Sequence, residues 1–309
     1  MALTGLFVPL ITPFTDNDEL DCAALRKLAE GVLDDGAAGI VALGTTAETA
    51  TLTVAERAQI VGICASVCTD HKADLIVGVG SNSTADSVAQ LATLDARVTA
   101  ALTVVPYYTR PSEDGVVEHF RQLATASPVP LVIYHVPHRT ARPLSADTLL
   151  RLATLPNVAG FKHAVGGIDD TTIAFLSALP DHTSVLAGDD RYAGPLVALG
   201  ARGAILASAN VVAGGYAQLL QAWRTGPGEQ ARHLHNRLAP LSAALFAEPN
   251  PVVIKAVLAA EGTISSPHVR LPLLPASQAA TAAALSLLPT RRAWSAATEF
   301  DRLRALGSA

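Results

Sequence analysis

An α/β fold is predicted for this chain, a (β/α)8 barrel followed by a small C-terminal helical appendix, and three observations carry it. Short apolar runs rich in Val, Ile and Leu recur between residues 7 and 207, as strands buried on both faces do. Amphipathic stretches with helix start signals lie between them. Half of the 309 residues are hydrophobic and only 16% are charged, so the chain can fill one large core.

The runs are, in order, Phe7–Ile11, Gly39–Leu43, Leu75–Gly80, Ala101–Val105, Pro130–Tyr134, Val158–Lys162, Ser184–Gly188 and Gly203–Ala207. Among the stretches between them, Asp21 stands before 23–33 as an N-cap, and Ser145 stands before 146–153. Thr53 with Glu56 makes the capping-box pattern ahead of 54–67. Gly36, Gly39 and Gly200 punctuate returns from helix to strand. Eight strand–helix units ending near Thr225 are the number that closes a barrel. An open doubly wound sheet is the alternative, but the first strand is followed by no Gly-x-Gly-x-x-Gly fingerprint. Past Gly226-Pro227-Gly228 the strand pattern stops, and helices are expected near 229–246, 251–261, 276–288 and 292–306. Residues 1–226 are therefore read as the barrel with the active site and 227–309 as the helical domain. Arg291, Arg292, Arg302 and Arg304 beside Glu299 and Asp301 read as a solvated helix face.

A net charge of −5 speaks against a dedicated nucleic-acid binder. Cys22, Cys64 and Cys68 are too few for a disulfide framework, and buried reduced thiols are expected. No apolar run reaches the ~18 residues of a membrane-spanning helix. Met1–Pro9 lacks a basic leader region. A cytoplasmic protein with no membrane or nucleic-acid partner is the expectation.

Barrels of this kind build their active sites at the C-terminal ends of the strands. That rule selects Gly44-Thr45-Thr46-Ala47-Glu48, Pro106-Tyr107-Tyr108, Tyr134-His135-Val136-Pro137-His138-Arg139, Lys162-His163, Gly188-Asp189-Asp190 and Ala207-Ser208-Ala209-Asn210. The chain has four lysines. Lys27 and Lys72 read as solvated, Lys255 lies on a helix outside the barrel, and Lys162 alone interrupts a barrel strand. An ammonium there is expensive unless paired or neutralised. A neutral amine in a dry site is the nucleophile that forms a Schiff base with a carbonyl. The bland alternative is a structural ion pair with Glu48 or Asp189. Tyr134, Thr45 and Tyr108 are hydroxyls on neighbouring strand ends that could relay protons. Thr45-Thr46 suits an anion, and Arg139 offers a bidentate fork to a carboxylate. Metal catalysis through His135, His138 and His163 is a second class of reading. A non-catalytic sensor on the same fold is a third.

Together these residues resemble the dihydrodipicolinate synthase/N-acetylneuraminate lyase family of class I, pyruvate-dependent aldolases. The likeness runs from Gly5-Leu6-Phe7-Val8-Pro9 to Leu271-Pro272. It is carried by Gly44-Thr45-Thr46-x-Glu48, Tyr134-x-Val136-Pro137-x-Arg139-Thr140, Gly160-Phe161-Lys162, Gly188-Asp189-Asp190 and Glu248-Pro249-Asn250-Pro251. Pro106-Tyr107-Tyr108-Thr109-Arg110-Pro111-Ser112 is similar to the synthase branch. The resemblance implies Lys162 as the Schiff-base lysine, with no cofactor, and Tyr134, Thr45 and Tyr108 as the proton relay, Tyr108 reaching in from a neighbouring subunit. It implies that Thr45 and Thr46 hold the pyruvate carboxylate and Arg139 that of the aldehyde, and that the backbone at Gly188 and Ile205 lines the pocket. It also implies a homotetramer built from tight dimers. The implied lyase reaction, in lysine biosynthesis, joins pyruvate to aspartate semialdehyde. The alternative within the family is a 2-keto-3-deoxy sugar-acid aldolase or dehydratase, or a neuraminate-type lyase. Five residues depart from the family pattern: Ala47, His135, His138, Ala141 and His163. They bear on the second substrate.

Many synthases of the family are inhibited by lysine at a subunit interface, which the resemblance maps to Thr49, Ala50, Asn82, Asp86 and Tyr107. Val54 and Arg57 stand where lysine-sensitive members carry histidines, and Asp86 is a methylene shorter than their glutamate. A cationic ligand would meet the fixed charge of Arg57, so weak inhibition is expected. Turnover of pyruvate is to be followed against added lysine; half-inhibition below about 1 mM would overturn the expectation.

Overall fold

The computed structural model describes residues 3–288. Its strands are β1 (Gly5–Pro9), β2 (Gly39–Ala42), β3 (Asp74–Gly78), β4 (Ala100–Val104), β5 (Leu131–His135), β6 (Val158–His163), β7 (Ser184–Ala187) and β8 (Gly203–Ile205). Each pairs in parallel with the next and β8 returns to β1, so the sheet closes, as expected, rather than lying open. The last strand is shorter than its apolar run because β1 and β8 pair only over Gly5–Phe7 and Gly203–Ile205. Beyond that pairing Asn210 takes over: its side chain accepts from the Ile11 N–H and donates to the Pro9 carbonyl.

Both strand faces are apolar because both are buried. Phe7, Val41, Ile76, Leu102, Val132, Leu186 and Ile205 fill the barrel interior. Val8, Ile40, Leu75, Ala101, Ile133, Phe161 and Val185 belong to the second core, against the helices. Successive side chains point to opposite faces, so Tyr134 on β5 and Lys162 on β6, register partners, share the interior. His135 and His163 go to the other side.

There the two imidazoles lie 5.7 Å apart, and His163 packs 5.9 Å from the Phe175 ring with Nε2 3.0 Å from the Thr172 hydroxyl. His138 is exposed. The three histidines do not converge, and among the described residues no cluster of three or more His, Cys, Asp or Glu could hold a metal.

The helix signals act where they were read. Asp21 caps Cys22–Asp34, Thr53 and Glu56 form the capping box of Val54–His71, and Ser145 caps Ala146–Ala153. Helices Gly228–Leu245, Val252–Ala260 and Gln278–Ser286 follow the barrel. The helix expected near 292–306 and its arginine face lie outside the described residues. Cys64 and Cys68 are buried free thiols, as expected, and burial raises both pKa values; Cys22 is partly exposed. Lys27 and Lys72 are exposed, also as expected. Among the described residues no helix is long and apolar enough to cross a membrane.

Burial lowers His135 to about 3 and His163 to about 4. Both folded values lie below the ~6.5 of an unfolded histidine. The stability they carry is therefore complete above about pH 6.5 and is lost as pH falls towards 4. Between pH 7 and 5 the expected loss is about 2 kcal/mol for each. Thermal melts should drop by several degrees over that interval, and His135→Gln/His163→Gln should flatten the drop. An unchanged slope in the double variant would refute the assignment.

Candidate active site

Lys162 sits on β6 between Tyr134 of β5 and Leu186 of β7. It is 7% exposed, with Nζ 4.4 Å from the centre of the Tyr134 ring, itself 8% exposed. The ring face offers a cation or amine an electrostatic partner that needs no carboxylate. Room for the lysine stem is made at Gly188: a Cβ there would lie 2.9 Å from Lys162 Cγ and 2.7 Å from Ala164 Cβ. The Gly188 N–H donates to the His163 carbonyl at 2.7 Å, tying the end of β7 to β6.

A cleft of about 200 Å³ is lined by Thr45, Val104, Tyr107, Tyr134, Val136, Arg139 and Thr140. Tyr134 is common to the cleft and to the lysine. Thr45 and Arg139 are exposed, Thr45 in the turn after β2 and Arg139 on the one-turn helix Pro137–Thr140. Thr46 is buried beside Thr45, its hydroxyl accepting from Asn250 Nδ2 at 2.9 Å. Ile205 is fully buried in the barrel interior. Tyr108 is 88% exposed at φ 67°, and Tyr107 takes its place on the cleft of its own chain. Thr45, Tyr134 and Arg139 are thus brought together at one cleft, and Tyr134 joins it to Lys162; Tyr108 is not part of it.

Neither carboxylate considered as an ion-pair partner for Lys162 is used that way. Glu48 Oε1 accepts from Lys255 Nζ at 2.8 Å, with both side chains almost fully buried. Glu48 Oε2 accepts from the Arg270 N–H at 2.9 Å. Asp189 accepts from the Gly166 N–H at 2.7 Å. Burial, opposed by hydrogen bonds from Ser208 and by the charge of Lys162, pushes the neighbouring Asp190 up to about 6. Its Oδ1 accepts from the Ser208 N–H at 2.6 Å.

Of the five departures from the family pattern, three do not face the cleft. His135 and His163 point to the helix side, and Ala47 is buried with its carbonyl accepting from the Thr12 hydroxyl at 2.8 Å. His138 and Ala141 are exposed, on either side of Arg139 and Thr140. The Arg57 guanidinium turns to the Thr49 carbonyl at 2.9 Å. A larger cavity of about 410 Å³ among the C-terminal helices is lined mainly by alanine and proline, with Gln278 and Thr281 as its polar side chains. It offers no acid, base or amine.

A family profile described as the dihydrodipicolinate synthetase family matches residues 2–289. The chain belongs to this family. The 4-hydroxy-tetrahydrodipicolinate synthase of Salinibacter ruber is 40% identical over 277 residues, which cover 89% of this chain and 91% of that one. Among solved structures, a chloride-inhibited dihydrodipicolinate synthase from Acinetobacter baumannii, complexed with pyruvate, superposes with a TM-score of 0.88. It is 33% identical, over 93% of this chain and 98% of the other. A monomeric dihydrodipicolinate synthase variant matches with a TM-score of 0.88 at 30% identity, covering 92% and 95%.

In this member of the dihydrodipicolinate synthetase family a shielded amine lies against a phenol, and that phenol lines a cleft with Thr45 and Arg139. Sequence reasoning missed the cleft role of Tyr107 and the buried contacts of Asn250 and Lys255. A signal for Lys255 was present, since it follows the apolar run Pro251-Val252-Val253-Ile254.

Proposed function

We propose that the protein is a 4-hydroxy-tetrahydrodipicolinate synthase, joining pyruvate to aspartate semialdehyde in lysine biosynthesis through a Schiff base on Lys162. The observation that carries this reading is the Lys162 amine held against Tyr134 in the barrel interior, where the same Tyr134 lines a cleft with Thr45 and Arg139. The amine attacks the C2 carbonyl of pyruvate, and loss of water from the carbinolamine leaves an iminium ion. Removal of a C3 proton gives the enamine, whose C3 attacks the aldehyde carbon. The amino group of the semialdehyde then displaces Lys162, closing the ring and freeing the enzyme. No external cofactor is called for, because the iminium itself is the electron sink.

Tyr134 is placed to exchange protons with the carbinolamine, Thr45 extends the relay, and Thr45 with Thr46 holds the pyruvate carboxylate. Arg139, at the exposed end of the cleft, receives the carboxylate of the aldehyde. Gly188 clears space for the lysine, and the backbone at Gly188 and Ile205 lines the pocket. Tyr108 completes the relay from a second copy of the chain, in a homotetramer of tight dimers; its exposure in a single copy supports that placement. The burial of Ala47 and the outward course of His135 and His163 favour the synthase over a keto-deoxy sugar-acid aldolase, because they keep these three departures off the cleft. We assign the barrel to residues 1–226, the helical part to 227–309, and the enzyme to the cytoplasm.

Borohydride reduction with pyruvate should add one reduced pyruvyl group, and peptide mapping should place it on Lys162. Lys162→Ala and Lys162→Arg should lose both adduct and turnover, arginine because its guanidinium stays protonated. An adduct that persists in Lys162→Ala sinks the assignment. Turnover with a panel of aldehydes separates aspartate semialdehyde from sugar-derived substrates.

Tyr108→Phe should lower kcat by about 10²-fold, the range of lost acid–base catalysis, with a smaller change in pyruvate binding. Dilution to a proven monomer should cost a similar factor. Activity per chain that holds constant in the monomer would disprove the shared site.

A further inference from the structure

We propose that Lys255 is a positioning residue for catalysis: together with Asn250 it holds the Thr45–Glu48 turn in the shape that grips the carboxylate of the 2-oxo acid. The inference rests on the reading of Thr45 and Thr46 given above. The turn needs holding, since Glu48 has φ 54°, a left-handed conformation that a non-glycine residue adopts at a cost. Its backbone is pinned by Thr12, whose hydroxyl donates to the Ala47 carbonyl at 2.8 Å. Its side chain reaches into the protein, where Lys255 Nζ donates to Oε1 at 2.8 Å and the Arg270 N–H donates to Oε2 at 2.9 Å. Lys255 is wholly buried, with Nζ 4.3 Å from the centre of the Phe14 ring.

Asn250 makes a second contact from the same short stretch of chain. Its Nδ2 donates to Thr46 Oγ1 at 2.9 Å, so that hydroxyl already has an acceptor site filled and its own proton is free to be given to an anion. Asn250 and Lys255 flank the start of the Val252–Ala260 helix, so one rigid element sets both the Thr46 hydroxyl and the Glu48 carboxylate. The two contacts span 204 and 207 residues of sequence. A purely structural ion pair would share the burial of Lys255 but would give the neighbouring Asn250–Thr46 contact no part in substrate binding.

The test uses the full chain with Asn250→Ala, Lys255→Met and the charge-free pair Glu48→Gln/Lys255→Met, each checked for a cooperative melt. Steady-state turnover and borohydride trapping are measured with pyruvate, and trapping is repeated with acetone, a carbonyl compound without a carboxylate. The expected result is a rise in pyruvate KM of about tenfold, near 1.4 kcal/mol of binding, with kcat within about threefold of the parent. Acetone trapping should stay within about twofold. Should Lys255→Met fail to fold, Asn250→Ala, which strands no buried charge, decides the matter. A folded Asn250→Ala with parental pyruvate KM overturns the inference, as does a parallel loss of acetone and pyruvate trapping. If the parent itself fails to trap pyruvate on Lys162, the functional reading falls instead.

Discussion

Strand parity is the constraint on which the site depends. In a closed parallel barrel each side chain faces either the interior or the helices, and one residue's shift in register exchanges the two sets. Pairing of Leu131–His135 with Val158–His163 puts Tyr134 across from Lys162 on the inner face. The amine therefore meets an aromatic face rather than a carboxylate. Glu48, the carboxylate weighed as its counter-charge, is paired with Lys255 instead.

Parity also explains what could be read from the sequence. Lys162 stood out because it breaks an otherwise apolar strand, and its neighbour Tyr134 followed from the adjacent run. His163, one position on, shared the lysine's motif but not its face, and treating strand ends as clusters of residues hid that difference. Tyr108 reads as a strand-end hydroxyl, yet it is 88% exposed and it is Tyr107 that lines the cleft of its own chain. Helix starts were legible at Asp21, Thr53 and Ser145 because a capping hydrogen bond spans only three residues. Lys255 and Glu48 were illegible as a pair because nothing local signals a contact across 207 residues.

That pair is an uneven contributor to stability. Desolvating two charges roughly cancels their attraction, whereas removing one partner leaves a stranded charge that costs about 3–5 kcal/mol. The return is geometric definition. Burial lowers the proton affinity of Lys255 while Glu48 raises it, so the charged state of the lysine depends on its partner. Arg270 extends the arrangement outward, donating to Glu56 Oε1 at 2.6 Å and to Asp18 Oδ1 at 2.9 Å. The guanidinium holds both carboxyls below their ordinary range. The capping box of the Val54–His71 helix is thereby tied to the segment that supports the threonine turn.

The missing side chain at Gly188 has a bearing on how such an enzyme can change. Any substituent there would collide with the lysine stem and with Ala164, two groups that cannot both give way. The floor of the site thus leaves almost no freedom for drift. The rim is different: His138 and Arg139 stand in solvent on a single helical turn, where exchange of a side chain disturbs no packed neighbour. On the proposed reading, a lineage carrying this scaffold can explore new electrophiles at the rim while the carbon nucleophile made at the floor stays the same.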